Sequence, residues 1–426
     1  MRTIFCLAVF VASIPANGAT TLDEAFRAAV EKNETAKITR EDVVQARERV
    51  SQAKGGILPT LSLQAAHQIQ DQPSDPIARE FFPENSTTVN LNLTQPLFRG
   101  FREFAFLRSQ NALLRAQEQG RSQALIGLYK LVASSYMTVL MHEQDLRNLE
   151  SQVKLYESRN GELRSRARTG ESSTTELLSA QTTLAALLAE VELIKGQLAQ
   201  AREQFQFLTG LDKQTVLQQE DLKKSLSPLP PLDTYLGKID ERPDIKAAKE
   251  QAAAVQESMG VAKGAHWPTL DLLGNYYFKR PEGVTNDIQW DVQLRFVLPL
   301  YEGGVTQSRI REASSKNYQA ELTLARARRE AESDVKASYA SLKARIDQIL
   351  ALEKAVELSE RNSQVSTREF RRGLTRSIDV QLALADYRNQ VRLLDRARYG
   401  ARLDVINLQI DSAQSLPSGI QEEVRQ

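Results

Sequence analysis

Ala53-Lys54-Gly55-Gly56-Ile57-Leu58-Pro59-Thr60-Leu61 returns 209 residues later as Ala262-Lys263-Gly264-Ala265-His266-Trp267-Pro268-Thr269-Leu270. Upstream, Asn33-Glu34-Thr35-Ala36-Lys37 stands opposite Arg242-Pro243-Asp244-Ile245-Lys246 at the same offset. Downstream, Pro96-Leu97-Phe98-Arg99-Gly100 returns as Pro299-Leu300-Tyr301-Glu302-Gly303 at an offset of 203, and Gly170 returns as Gly373 at 203. Six residues are therefore lost between the paired prolines, and the stretch from strand exit to turn glycine keeps its length. Loops tolerate length change, whereas straight elements that must stay level do not. The chain reads as two repeats of one unit: helix, strand, loop, strand, long helix, turn, helix.

Residues 86–96 alternate, with Val89, Leu91 and Leu93 set against Thr88, Asn90, Asn92 and Thr94. Residues 288–296 repeat this with Trp290, Val292, Leu294 and Phe296 against Asp291, Gln293 and Arg295. A period of two marks strands with one apolar and one polar face. The strands entering each hairpin alternate less cleanly (Leu61, Leu63, Ala65; Leu270, Leu272, Gly274, Tyr276). Pro-, Gly- and Asp-rich stretches at about 71–86 and 280–287 read as the hairpin loops.

After Gly100 the period lengthens. Leu125, Leu128, Val132, Tyr136, Val139, Leu146, Leu149 and Val153 follow one another in steps of three, four or seven. That is coiled-coil spacing. No proline occurs from 97 to 227 or from 300 to 416, so nothing breaks the helices there. A helix over 103–168 would be roughly 95 Å long at 1.5 Å per residue, too long for the interior of a globule.

Charge is balanced, with 55 Lys+Arg against 54 Asp+Glu, which argues against nucleic acid or an anionic membrane surface as partner. Three His and one Cys are too few for a conventional zinc, haem or iron–sulfur site, and no cofactor is expected. Arg2, the apolar run Ile4–Val11, the break at Pro15 and the small residues Ala16 and Gly18 read as an export signal over 1–18. Cys6 lies inside it without a lipobox, so the exported protein is expected to lack thiols. No continuous later run reaches 18 apolar residues, and no transmembrane helix is expected. Asn85-Ser86-Thr87 fits a glycosylation sequon and reads as chance.

Four strands cannot span a membrane alone, because a membrane sheet must close and small barrels need about eight strands. Their edges would have to be satisfied by further copies of the chain. Phe98, Trp267 and Tyr301 lie at the strand ends next to the helices, and Tyr276, Tyr277, Phe278 and Trp290 lie toward the loops. The pattern suits two interfacial aromatic girdles.

With these features together, the sequence resembles the TolC-type outer-membrane efflux and secretion ducts. The resemblance rests on the duplication, on Lys-Gly-x-x-x-Pro-Thr-Leu at both strand starts and Pro-Leu-(Phe/Tyr)-x-Gly at both exits. Arg242-Pro243-Asp244-Ile245 and the helix-tip turns Arg168-Thr169-Gly170-Glu171-Ser172 and Arg371-Arg372-Gly373-Leu374-Thr375 add to it.

The resemblance implies a mainly α protein with a membrane β-barrel portion. It would be a homotrimer sharing a twelve-stranded barrel, continued by a long periplasmic α-helical barrel. The first repeat would occupy 19–210 (strands 58–70 and 86–97, helices 103–168 and 174–208). The second would occupy 241–412 (strands 267–279 and 288–300, helices 304–371 and 377–410), with a connecting equatorial segment at 211–240 and a tail at 413–426. Implied partners are a periplasmic adaptor, an inner-membrane efflux or ABC-type transporter that chooses the cargo, and outer-membrane lipid.

The resemblance further implies a gate of polar links at the periplasmic end. Asp379, six residues after Gly373, falls at the family's acidic ring, and Arg398 falls at its restraining arginine. Thr175 and Glu176 would be the partners of Arg398. Phe370 stands where many members carry tyrosine and offers packing only. Leu382 replaces a second acid of the ring. Gly170 and Gly373 would mark the tips where adaptor hairpins dock. A periplasmic coiled-coil adaptor or scaffold shares the helices and signal, but the duplicated amphipathic strands argue against it. No His–Cys–acid constellation, phosphate loop or acidic metal cluster supports an enzyme.

Overall fold

The computed structural model describes residues 18–71, 73–170, 172–219, 229–281 and 287–414. Most of the expected export signal, the middle of the second hairpin loop, part of the connecting segment and most of the tail lie outside these residues.

The first repeat contains α1 (Leu22–Lys32), α2 (Glu34–Gly55), β1 (Thr60–Ile69), α3 (Pro76–Phe81), β2 (Asn85–Arg99), α4 (Arg102–Arg168) and α5 (Thr174–Thr209). A short α6 (Leu232–Leu236) follows in the connecting segment. The second repeat contains α7 (Pro243–Gly264), β3 (Thr269–Lys279), β4 (Trp290–Val297), α8 (Val305–Arg371) and α9 (Ser377–Asp411). The short α3 falls in what the sequence suggested was plain loop. Asp75 caps it, accepting from the Ile77 N–H at 3.0 Å, with Pro76 at the first helical position.

The described residues form two compact units. One draws on 38–123 and 239–332 and contains the sheet. Its four strands run antiparallel in the order β1-β2-β3-β4. One face carries Leu61, Leu63, Val292, Leu294 and Phe296, all exposed. On the other face Asn275 accepts from Asn90 and Asn92 and donates to Asp291, at 2.8–3.2 Å. Pro96 sits in β2 at a register shift between Pro96 and Phe98, where a missing N–H breaks no ladder. Gly100 has φ +65°, and a Cβ there would come within 2.3 Å of the Gly264 carbonyl oxygen. The glycines of the two short motifs thus let the exit of β2 cross the end of α7. Within this unit α4 and α7 are joined by Arg108–Glu257 and Arg115–Glu250, both 2.8 Å and one heptad apart on each helix.

The other unit draws on 1–37, 124–238 and 333–426. Its core is the α4 stripe read from the sequence: Leu125, Leu128, Val132, Tyr136 and Val139 are buried with Phe26 of α1, Phe205 and Leu208 of α5, and Tyr399, Ile406 and Ile410 of α9. Tyr136 Oη lies 2.9 Å from the Thr20 carbonyl and 2.7 Å from that of Gln218. That hydroxyl marks where the chain start and the connecting segment pair through Thr20 and Leu217.

Among the described residues α4 and α5 each contain an 18-residue stretch apolar enough to cross a membrane by length and composition. Core helices pass the same test of length and composition, so the expectation that no transmembrane helix follows the signal is not overturned. Ser, Thr and Gln interrupt both stretches, so no continuous apolar run stands out. The α4 stretch is largely buried within the protein, whereas that of α5 is largely bare.

Candidate functional site

The two long hairpins turn at Gly170 and Gly373, whose φ values of +75° and +76° lie where only glycine is free of strain. At the second turn the Gly373 N–H donates to the Phe370 carbonyl at 2.9 Å and the Leu374 N–H to that of Glu369 at 3.0 Å. This pair of bonds ends α8 and reverses the chain into α9.

Each helix that leaves a turn carries an acid in its first turn, Glu176 on α5 and Asp379 on α9. The two are equivalent under the 203-residue offset. The Ser173 hydroxyl accepts from the Glu176 N–H at 3.2 Å, and Glu176 Oε2 accepts from Ser172 Oγ at 2.7 Å. Asp379 Oδ2 accepts from the Arg376 N–H and from Thr375 Oγ1, each at 3.2 Å, and the Arg376 guanidinium pairs with it at 3.3 Å. The Arg376 side chain and backbone hydrogen bonds hold the Asp379 carboxyl below its ordinary pKa. Acids at these positions also meet the positive end of the helix dipole.

The hairpins meet at Arg159, which the sequence did not single out. From α4, its Nη2 donates to Ser377 Oγ at 2.8 Å and to the Ser377 carbonyl at 3.2 Å. Its guanidinium carbon stands 5.7 Å from the centroid of Phe370, and that of Arg166 stands 5.9 Å away. Phe370 therefore offers more than packing: two cations address the ring that lacks a hydroxyl. Burial lowers the Arg159 pKa, while Tyr156, Glu176 and Glu162 oppose that shift. A hollow of about 460 Å³ beside these groups is lined by Thr175, Glu176, Phe370, Arg376, Ser377 and Gln381. Thr175 is exposed.

Within one chain the structure does not bring Arg398 to Thr175 or Glu176. Arg398 donates instead to Glu353 of α8 at 2.8 Å. Nineteen residues of α9 separate it from Asp379 by position, so it stands well back from the tip. Near Arg398, the charged contacts from α9 to α4 and α5 are made by its neighbours. Arg396 meets Asp145 at 2.7 and 3.0 Å, with the Asp145 side chain only 1 % exposed. Asp395 accepts from Asn148 at 3.0 Å, and Arg392 pairs with Glu190 of α5.

A sequence signal for Arg159 existed: Tyr156, Asn160 and Leu163 continue the α4 stripe past Val153, and all three are buried. An Asn within such a stripe marks a specified contact.

The aromatics expected at the interfaces fall at the two ends of the sheet. Trp267 precedes β3 and Tyr301 follows β4, both exposed, while half-buried Phe98 stands edge-on to Phe101. Tyr276 and Trp290 face each other across β3 and β4 at the opposite end. No group of three or more His, Cys, Asp or Glu suited to a metal occurs among the described residues.

The sheet leaves one apolar face bare, and the long helices make up most of the rest of the described residues. Residues 28–211 and 238–409 match the family described as outer membrane efflux protein, and the chain belongs to that family. The outer membrane protein TolC of Vibrio cholerae is 24 % identical over 373 residues, covering 85 % of this chain and 83 % of that protein. TolC of Escherichia coli K12 is 23 % identical over 380 residues, covering 85 % and 76 %. The crystal structure of CusC, described in terms of transmembrane channel formation, superposes with a TM-score of 0.82 at 18 % identity, covering 92 % of this chain and 91 % of that one. The chain is an outer-membrane protein of the efflux-channel class, and the adaptor alternative is set aside because the family match includes both strand pairs.

Proposed function

We propose that three copies of this chain share one twelve-stranded barrel, four strands each, and together form the exit duct of a tripartite efflux pump or type I secretion system. The duct passes cargo from an inner-membrane transporter, through a periplasmic adaptor, to the cell exterior. The observation that carries the reading is the four-stranded sheet, whose face of Leu61, Leu63, Val292, Leu294 and Phe296 is bare and whose two outer edges have no strand partner among the described residues. In lipid such edges are tolerated only when a barrel closes. In this reading 1–18 is the export signal, 19–210 and 241–412 the repeats, 211–240 the equatorial connection and 413–426 the tail. Phe98, Trp267, Tyr276, Trp290 and Tyr301 form the interfacial belts.

The periplasmic end is the gate. Thr175, Glu176, Phe370 and Asp379 form its tip, with Arg159 joining the two hairpins, and Arg398 acts further back along α9 through Glu353. Gly170 and Gly373 mark the tips offered to the adaptor. A latch of charge-assisted hydrogen bonds suits this task, since such bonds bias a closed arrangement yet yield to a partner with better contacts. The test is conductance: purified, unheated protein added to a planar bilayer should produce discrete current steps. A preparation that is folded by circular dichroism and gives no steps would overturn the reading.

A further inference from the structure

The two hairpins obey one rule of register. Adding 209 to residues of β1 and 203 to residues of β2 converts Leu61↔Leu93, Leu63↔Leu91, Ala65↔Val89 and His67↔Thr87 into Leu270↔Phe296, Leu272↔Leu294, Gly274↔Val292 and Tyr276↔Trp290. Those are the partners found between β3 and β4, and the remaining four pairs of that ladder convert in the same way. The duplication thus holds at the level of single strand pairs. One junction, β2 against β3, joins the two repeats. Its counterpart under the same shifts joins β4 to β1, which in one chain are the opposite edges of the sheet.

Three differences between the repeats follow that missing junction. First, β2 has 15 residues and β4 only 8. The last part of β2 is held by β3 alone, through Gln95↔Leu272, Phe98↔Leu270 and Arg99↔Thr269, because β1 pairs no further along it than Thr94. The β4 counterparts of that part are residues 298–302, just past the point where β4 stops at Val297. Second, Phe98 is half-buried, whereas its counterpart Tyr301 is 88 % exposed. Third, Gly100 is pressed against Gly264, while Gly303 keeps the same left-handed conformation at φ +63° although a Cβ on it would meet nothing within 4 Å. Gly55, the counterpart of Gly264, is equally bare.

We infer that β4 of one copy pairs antiparallel with β1 of the next in the register of β2 on β3. Leu294 then stands opposite His67 of the neighbouring copy, Arg295 opposite Ala66, Phe296 opposite Ala65, Leu298 opposite Leu63 and Tyr301 opposite Leu61. Gly303 meets the Gly55 end of the neighbour's α2. The bulge at Pro96–Phe98 recurs at Pro299–Tyr301, and β4 extends to residue 302 once its neighbour is present. The register also keeps Leu61, Leu63, Ala65, Leu294, Phe296 and Leu298 on one face, so the apolar band crosses the seam unbroken. This rests on the shared-barrel reading and adds the register, which the number of copies does not fix.

Disulfide trapping tests it. Cys6 is the sole cysteine and lies in the expected export signal, so engineered thiols meet no background. Directly opposed residues in an antiparallel pair have Cα atoms about 4.5–5.5 Å apart, within the reach of a disulfide. Diagonal neighbours two residues away are roughly 7–8 Å apart. A full-length double variant, Arg295→Cys with Ala66→Cys, oxidised in isolated outer membranes, should run at two and three times the single-chain mass on non-reducing denaturing gels. Reduction should collapse these bands. Phe296→Cys with Ala65→Cys should behave alike from the other face and guards against a folding defect in the first pair. Arg295→Cys with Gln64→Cys keeps the face but slips by two residues, and should stay at single-chain mass. If the slipped pair links and the two opposed pairs do not, or if no pair links although the unheated protein has a trimer's mass, the register is wrong and the shared barrel stands. If no pair links and the unheated protein has a single-chain mass, both are wrong.

Discussion

Arg159 of α4 holds Ser377, the first residue of α9, through a side-chain and a backbone hydrogen bond at 2.8 and 3.2 Å, while its guanidinium faces Phe370 at the end of α8. One cation thus ties the first hairpin to both arms of the second. Arg159→Gln should loosen that tie and raise single-channel conductance several-fold. Phe370→Leu should have a smaller effect, because the ring is one of two partners. The double variant should match Arg159→Gln alone, since groups that act as a unit are non-additive. Unchanged conductance in Arg159→Gln would remove it from the gate.

Arg398 and Glu353 form a pair within the second hairpin. If that pair restrains the helices, Arg398→Ala and Glu353→Ala should raise conductance by similar factors, and combining them should add nothing. A rise in Arg398→Ala alone would mean that its working partner is a group other than Glu353.

Asp145 is buried, and the Arg396 guanidinium pairs with it at 2.7 Å. Removing one member of a buried pair costs about 3–5 kcal/mol, because the other charge stays behind in a medium of low polarity. Partial exposure of Arg396 puts the expected loss for Arg396→Ala toward the lower end. Thermal melts followed by circular dichroism should show a lowered midpoint. Asp145→Asn, which keeps a hydrogen-bonding group without the charge, should lose less. Equal melting of the wild type and Arg396→Ala would show that water reaches Asp145.

Asp379 has its pKa depressed by Arg376. A depressed carboxyl contributes stability that is present above the ordinary aspartate value of about 3.9 and is lost as pH falls through the lower folded value. Cation selectivity carried by Asp379 should therefore stay constant from neutrality down to the usual carboxylate range and fall only below it. Asp379→Asn should show the reduced selectivity at every pH. Reversal potentials in a salt gradient would measure both. A selectivity change centred near pH 6–7 would point to a different group.

Gly100 carries φ +65° and stands where a Cβ would strike the Gly264 carbonyl. Gly100→Ala should cost about 1–2 kcal/mol from the backbone alone, with the collision in addition. A lower yield of folded protein and a lower melting midpoint are expected. A variant that melts like the wild type would mean that the strand exit can shift without loss.

Much of the fold was legible because it depends on local period and on repetition. The alternation around Val89, Leu91 and Leu93 lies within β2, and the stripe from Leu125 to Val139 lies in the α4 core. The helix turns were visible as Gly170 and Gly373 because a left-handed residue is needed there. Partner choice was not legible. Nothing near Arg398 in sequence distinguishes Glu353 from Glu176, since both lie on other helices and pairing depends on how helices face each other. Arg159 was hidden for the same reason: its contacts are 211 and 218 residues away, and the chain spaces arginines densely around the tips. The α3 helix was masked by Pro76, which reads as loop unless its place as the first residue of a helix is considered.

The most direct test of the shared duct is the mass of the protein extracted in mild detergent from the outer-membrane fraction, measured by light scattering without heating and corrected for bound detergent. Three times the single-chain mass of 47.7 kDa, less the export signal from each chain, is expected. A single-chain mass in that fraction would contradict the shared barrel, and with it the duct built from three copies.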